Sequence, residues 1–196
     1  MKDQFPFYGV PAPKRTAILR PIWNEHKSTI KLNIISISEQ LWTMPQREYQ
    51  MIAMEMMGKC KKVYTIENLQ HITSLITRKS WWDTVDFLAS TIVGHILSNN
   101  QSIAKQKAFT FMHSDNMWLQ RTAILFQLKY KNNVDEDLLY SLIKDTKGSK
   151  EFFINKATGW ALRQYSKYNP QSVAGFIASN EDWMTNLSIR EGSKYL

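Results

Sequence analysis

Two adjacent tryptophans and two carboxylates fall within six residues in the stretch Lys79-Ser80-Trp81-Trp82-Asp83-Thr84-Val85-Asp86. A helix would place Trp82 and Asp86, four apart, on one face. An indole beside a carboxylate makes an electron-rich patch that can hold a developing cation. The same residues equally suit a buried tryptophan with Asp86 as a cap or ion-pair partner. The rest of the chain has to decide between the two.

The surrounding composition narrows the chemistry. The 25 Lys+Arg outnumber the 17 Asp+Glu, giving a formal charge of +8 and a pI near 9.5. That excess favours a polyanion partner, most simply nucleic acid. A membrane surface would call for a basic amphipathic segment of low hydrophobicity, and none is found. The single Cys60 excludes an internal disulfide and a cysteine-based zinc site, and points to a reducing cytoplasm. His26, His71, His95 and His113 show no metal-binding spacing, so no metal is expected. The longest apolar runs are too short for a membrane span, and Met1-Lys2-Asp3-Gln4 lacks a signal peptide's apolar core. At 196 residues and 43% hydrophobic, the chain suits one domain over 1–196. With 7 Gly and 6 Pro there is little room for the turns of a sandwich or barrel, so an all-α fold is expected.

Something must position the Trp–Asp stretch, and a repeat supplies it. Residues 1–13 read as an extended, packed lead-in; Pro13 opens a helix to about His26, which Pro21 should bend or divide. Beyond residue 30, similar segments begin at Arg47, Trp82, Trp118, Phe153 and Leu187, separated by 35, 36, 35 and 34 residues. Helix-like segments lie between them, at about 33–43, 66–78, 101–113, 135–145 and 170–180. A two-helix unit of about 35 residues indicates an α-solenoid. The aromatic and small-residue pattern of tetratricopeptide repeats is missing, so a right-handed solenoid of HEAT-like repeats with a concave basic face is expected.

Superposing the second helices separates a buried stripe (Ile52, Ala53, Met56, Phe87, Leu88, Ala123, Ile124, Leu162) from a basic and aromatic one. The latter holds Arg47, Gln50, Trp82, Asp86, Trp118, Arg121, Lys156, Trp160, Arg163, Arg190 and Lys194. Trp118 also suits a core position, and Arg121 an ion pair with Asp86.

The stretch ending at Asp86 is one of several that resemble the AlkD family, the DNA alkylation repair glycosylases built from HEAT-like repeats. The others are Asn116-Met-Trp-Leu-Gln-Arg-Thr-Ala-Ile-Leu-Phe-Gln-Leu128, Ser149-Lys-Glu-Phe-Phe-Ile-Asn-Lys-Ala-Thr-Gly-Trp-Ala-Leu-Arg163 and Leu187-Ser-Ile-Arg-Glu191. The resemblance runs nearly end to end. It implies hydrolytic excision of cationic N3- and N7-alkylated purines, of the 3-methyladenine and 7-methylguanine type, from double-stranded DNA. It also implies a catalytic carboxylate at Asp86, active-site indoles at Trp82 and Trp160, and a key arginine at Arg121, with the lesion not swallowed in a tight base pocket. On that reading Arg121 binds a phosphate beside the lesion, while Lys156, Arg163, Arg190 and Lys194 position the backbone. No lysine nucleophile accompanies the indoles, so a monofunctional enzyme acting as a monomer without a cofactor is expected. Family members usually have a further helix upstream of Phe5-Pro-Phe-Tyr-Gly-Val10, so the first repeat is expected to be incomplete. The competing readings are a non-catalytic HEAT-like nucleic-acid binder and a protein scaffold.

Overall fold

The computed structural model describes residues 3–196, and all regular structure among them is helical. Helix α1 (Ala12–Thr43) opens with Pro13 in its first turn, where a missing N–H costs nothing. Its backbone leaves helical geometry at His26 (φ −112°, ψ 16°), five residues beyond Pro21. Pro21 itself stays helical. Both it and Ala17 are exposed, so water can take the carbonyl that the proline ring cannot serve.

The following elements keep the repeat's phase. They are α2 (Arg47–Lys59), α3 (Leu69–Thr77), α4 (Trp82–Phe87) and α5 (Gly94–Ser98), the last two joined through a π-helical segment, Leu88–Val93. Then come α6 (Gln101–Met112), α7 (Met117–Leu125), α8 (Glu136–Lys144), α9 (Phe152–Ser166), α10 (Pro170–Ala178) and α11 (Asn186–Gly192). Side-chain caps set several starts. Asn116 accepts from the Trp118 and Leu119 amides at 2.9 and 3.3 Å, and Asp135 from Leu138 at 3.0 Å. Asn169 and Thr185 do the same for Ser172 and Ser188. Each cap satisfies a donor that the first helical turn cannot.

Successive second helices pack side by side, α2 on α4, α4 on α7, α7 on α9 and α9 on α11, while α1 meets α3 and α6 meets α8 in the other layer. This is an α-solenoid of HEAT-like repeats. Ala53, Met56, Leu88, Ala123, Ile124 and Leu162 are buried between the layers, as the periodicity predicts, whereas Ile52 and Phe87 from the same stripe are only half-buried against the core. Each large aliphatic side chain buried there contributes about 1.5–3 kcal/mol. Among the described residues no helix is long and apolar enough to cross a membrane.

The lead-in is irregular but, against expectation, largely exposed, with Phe7 and Tyr8 open to solvent; hydrogen bonds hold it in place. The Glu48 carboxylate accepts the Tyr8, Gly9 and Val10 amides at 3.1, 2.8 and 3.1 Å, and the Pro6 carbonyl accepts the Arg47 amide at 2.9 Å. Burial pushes the Glu48 carboxyl up, but these amides and its own helical N–H outweigh burial and hold it below the usual range.

Gly94 is where α5 comes closest to the chain after α7. A Cβ there would lie 2.4 Å from the Phe126 carbonyl oxygen, and Tyr130 donates to the Gly94 carbonyl at 2.6 Å. Gly94→Ala is therefore expected to lower the urea midpoint, because forced overpacking costs about 1–3 kcal/mol. A midpoint equal to the parent's would show that these two backbones can separate freely.

Candidate active site

The Trp–Asp stretch is held from below by a buried arginine. Arg47, fully buried, donates to Asp83 at 2.6 and 3.2 Å, to the Thr84 hydroxyl at 2.9 Å and to the Lys79 carbonyl at 2.8 Å. Lys79 occupies left-handed backbone (φ 48°), and its ammonium binds the Thr43 and Met44 carbonyls. This turn reverses the chain before Trp81 and sets where α4 begins. Asp83, the other carboxylate of the motif, is thus a structural anchor.

One turn later, Asp86 faces α7. Arg121 Nε and Nη2 donate to its two oxygens at 2.7 and 2.8 Å, and Nη1 donates to the Phe153 carbonyl. Arg121 is 1% exposed, whereas the Asp86 side chain keeps 18% of its surface open. Burial pushes the Asp86 carboxyl above its ordinary 3.8; Arg121 pulls the other way without overcoming it, and Asp83 adds to the rise. Immediately after Asp86 the helix widens into its π-helical turn, and the Ser90 hydroxyl donates to the Asp86 carbonyl at 2.7 Å. Such turns break the 3.6-residue register and often accompany functional side chains.

Trp82 and Trp160 open onto one cleft of about 470 Å³, bordered also by Arg121, Phe152, Phe153 and Lys156. Trp82 is 43% exposed. The Trp160 ring is surrounded by cations, with Arg121 at 5.5 Å, Arg163 at 5.7 Å and Lys156 at 5.9 Å from its centroid. Behind the cleft, Trp81, Trp118 and Phe153 form an aromatic cluster with centroids 5.0–6.0 Å apart. Trp118 is half-buried in that wall, as its core reading allows.

Three residues of the basic and aromatic stripe are buried. Arg121, expected to bind a phosphate, is 1% exposed and gives three of its five N–H groups to Asp86 and Phe153, so its ion-pair role is the one the geometry displays. Arg47 and Gln50, placed on the exposed stripe, are fully buried; Gln50 donates to the Leu41 and Met44 carbonyls at 2.9 and 3.0 Å. The first repeat spends this stripe on anchoring the Trp–Asp stretch and the α1–α2 turn.

Three of the four remaining cations gather on a residue given no role at the sequence level. Glu191, 4% exposed, binds Lys156, Arg163 and Lys194, each at 3.0 Å. Hydrogen bonds from Lys156 and then Lys194 hold its carboxyl down at about 2, against the cost of burial. Lys156 and Arg163 flank Trp160 on α9, so one carboxylate tethers both cations that bracket the indole. Gly159 permits this approach, since a Cβ there would lie 2.5 Å from the Glu191 Cβ. Glu191 sits in the Leu187–Glu191 motif, but its place opposite α9 follows only from packing. Arg190, its neighbour, is exposed and has no ion-pair partner among the described residues.

The model of a family described as DNA alkylation repair enzyme matches residues 1–196. A solved structure, described as a predicted DNA alkylation repair enzyme from Enterococcus faecalis, superposes with a TM-score of 0.90 at 33% identity. The match covers 100% of this chain and 90% of that one. No curated protein matches. With the family's model spanning its whole length and a solved relative 33% identical across it, the chain belongs to the DNA alkylation repair enzyme family.

Proposed function

We propose that the chain is a monofunctional DNA glycosylase that hydrolyses the N-glycosidic bond of N3- and N7-alkylated purines in duplex DNA. One observation carries the reading: a partly exposed carboxylate, Asp86, oriented by Arg121 beside a cleft shared by Trp82 and Trp160. An alkylated purine is already cationic, so it departs with the bonding electrons as a neutral base and needs little acid assistance. The charge that grows instead sits on the deoxyribose. A fixed carboxylate stabilises that oxocarbenium character and orients water towards the anomeric carbon, taking a proton as the new C–O bond forms. Two indole faces add about 0.5–2 kcal/mol of cation–π attraction per contact and exclude water.

On this reading the positive charges of Lys156, Arg163, Arg190 and Lys194 follow the backbone without reading sequence. Duplex DNA containing 7-methylguanine, incubated with the protein and analysed for free base, tests the proposal. Free base with intact strands is expected. Tight binding without release would instead favour a non-catalytic binder, and absence of both a protein scaffold.

Glu191 allows a separate check. In Glu191→Gln, Lys156, Arg163 and Lys194 lose their shared anion and turn to phosphates. The log–log salt dependence of DNA affinity is expected to steepen by about one per cation freed. An unaltered slope would mean that Glu191 does not withhold these cations from DNA. Because the Glu191 carboxyl is held near 2, its stabilising contribution is complete above about 4.5 and is lost as pH falls towards 2.

A further inference from the structure

A second cationic recess lies further along the helix that carries Asp86. Lys61, His95 and Lys129, from three successive repeats, meet around an open hollow of about 480 Å³ walled by Ser90, Thr91 and Tyr130 among others. Where Lys156, Arg163 and Lys194 gather, the carboxylate of Glu191 sits among them. Around this hollow no acid does. Among the described residues, neither Lys61, Lys62, His95 nor Lys129 forms an ion pair, and no carboxylate lines the hollow.

Ser90 and Ser98, in the wall, donate their hydroxyl protons to the Asp86 and His95 carbonyls, which leaves Thr91 to serve the hollow. The Lys129 ammonium donates to the Thr91 hydroxyl at 2.6 Å, which leaves the threonine proton free for an acceptor in the recess. The Tyr130 hydroxyl is committed to the Gly94 carbonyl at 2.6 Å. Burial and then Lys61 push the Lys129 ammonium below its usual range, and burial with Lys61 and Lys62 does the same to the His95 imidazole. A group of cations that repel one another gains most from an anion placed among them.

We propose that this recess is a phosphate-binding site, with Lys61 and Lys129 as charge donors and Thr91 and His95 as hydrogen-bond donors. The phosphate is a backbone phosphodiester of duplex DNA or a free phosphate, and position favours the former. Ser90, in the wall, is bonded to the Asp86 carbonyl, and His95 lies about 13 Å along the helix from Asp86. One duplex can cover both. The assignment to DNA rests on the function proposed above; the affinity for phosphate does not.

The experiment uses the whole chain at constant ionic strength. Inorganic phosphate is titrated while the imidazole C2 protons of the four histidines are followed by NMR, with His95→Gln giving the assignment. A saturable shift confined to His95, with a raised titration midpoint, is expected. Lys61→Gln/Lys129→Gln should weaken that affinity by about tenfold or more, while circular dichroism and Tm confirm its fold. In a second arm, the salt dependence of binding to unmodified duplex is expected to flatten by about two in the double variant. Saturable phosphate binding with an unchanged DNA slope would keep the site but assign it to free phosphate, overturning the DNA assignment. No saturable shift, or the same shift in the double variant, would overturn the site itself. Neither arm depends on base release, so a protein that fails the glycosylase assay still answers the question.

Discussion

Asp86→Asn is expected to slow release of 7-methylguanine from duplex DNA by about 10²–10⁴-fold, the usual worth of a positioned acid–base group. Affinity for the same duplex should be nearly unchanged. Asparagine keeps the size and one acceptor for Arg121 but removes the negative charge that opposes the sugar's positive charge. The pH profile sharpens the test. Because burial raises the Asp86 carboxyl above 3.8, the wild-type rate should fall on the acid side through a midpoint higher than that value. Above background depurination, the variant should lack this limb. In the folding balance the sign is opposite to that of Glu191: a raised carboxyl favours the protonated folded state, so this contribution weakens as pH rises through the folded midpoint. Wild-type release rates in Asp86→Asn would refute the catalytic assignment, whatever the family.

Arg121→Ala should be the most destabilising substitution in the site. It leaves Asp86 largely buried without its bidentate partner and the Phe153 carbonyl without a donor. Breaking a buried ion pair from one side costs about 3–5 kcal/mol. A urea melt should show this as a lower midpoint, and base release should fall with it. Arg121→Ala/Asp86→Asn is expected to recover part of the stability but none of the activity, because the unpaired charge is gone along with the catalytic group. The salt slope of DNA binding should stay unchanged in Arg121→Ala at a temperature where it remains folded. A slope smaller by about one would restore Arg121 to a phosphate.

Much of the architecture was readable from spacing. Second helices expected at 47, 82, 118, 153 and 187 begin at Arg47, Trp82, Met117, Phe152 and Asn186. A 35-residue period survives in sequence because every unit must bury the same stripe against its neighbours. The breaks were readable for a different reason: Asn116 and Asn169 are short polar side chains able to cap the helix that follows. Pro21 was less informative. The break falls at His26, because an exposed proline can be tolerated by solvated carbonyls nearby.

The site was legible in its residue types but not in its partnerships. Trp82, Asp86, Arg121 and Trp160 share one stripe by periodicity, and the cleft does join both indoles. Periodicity gives the face of each helix, but not which end of a side chain meets which neighbour. Arg47 and Arg121 lie on the same stripe as Lys156, yet both are sealed by carboxylates one repeat away. Glu191 gathers three cations only because Gly159 lets α11 approach α9, a contact between residues 32 apart. Likewise, the Lys61–His95–Lys129 recess draws on three repeats, and none of the three lies in a motif.

By itself, then, the sequence determined a repeating two-helix stack, its excess of positive charge and the line of indoles and ionisable groups along it. Local spacing encodes those features directly. Only the tertiary structure decided which charges are neutralised within the fold and which stay open, because that depends on distances between helices that the chain brings together only by folding.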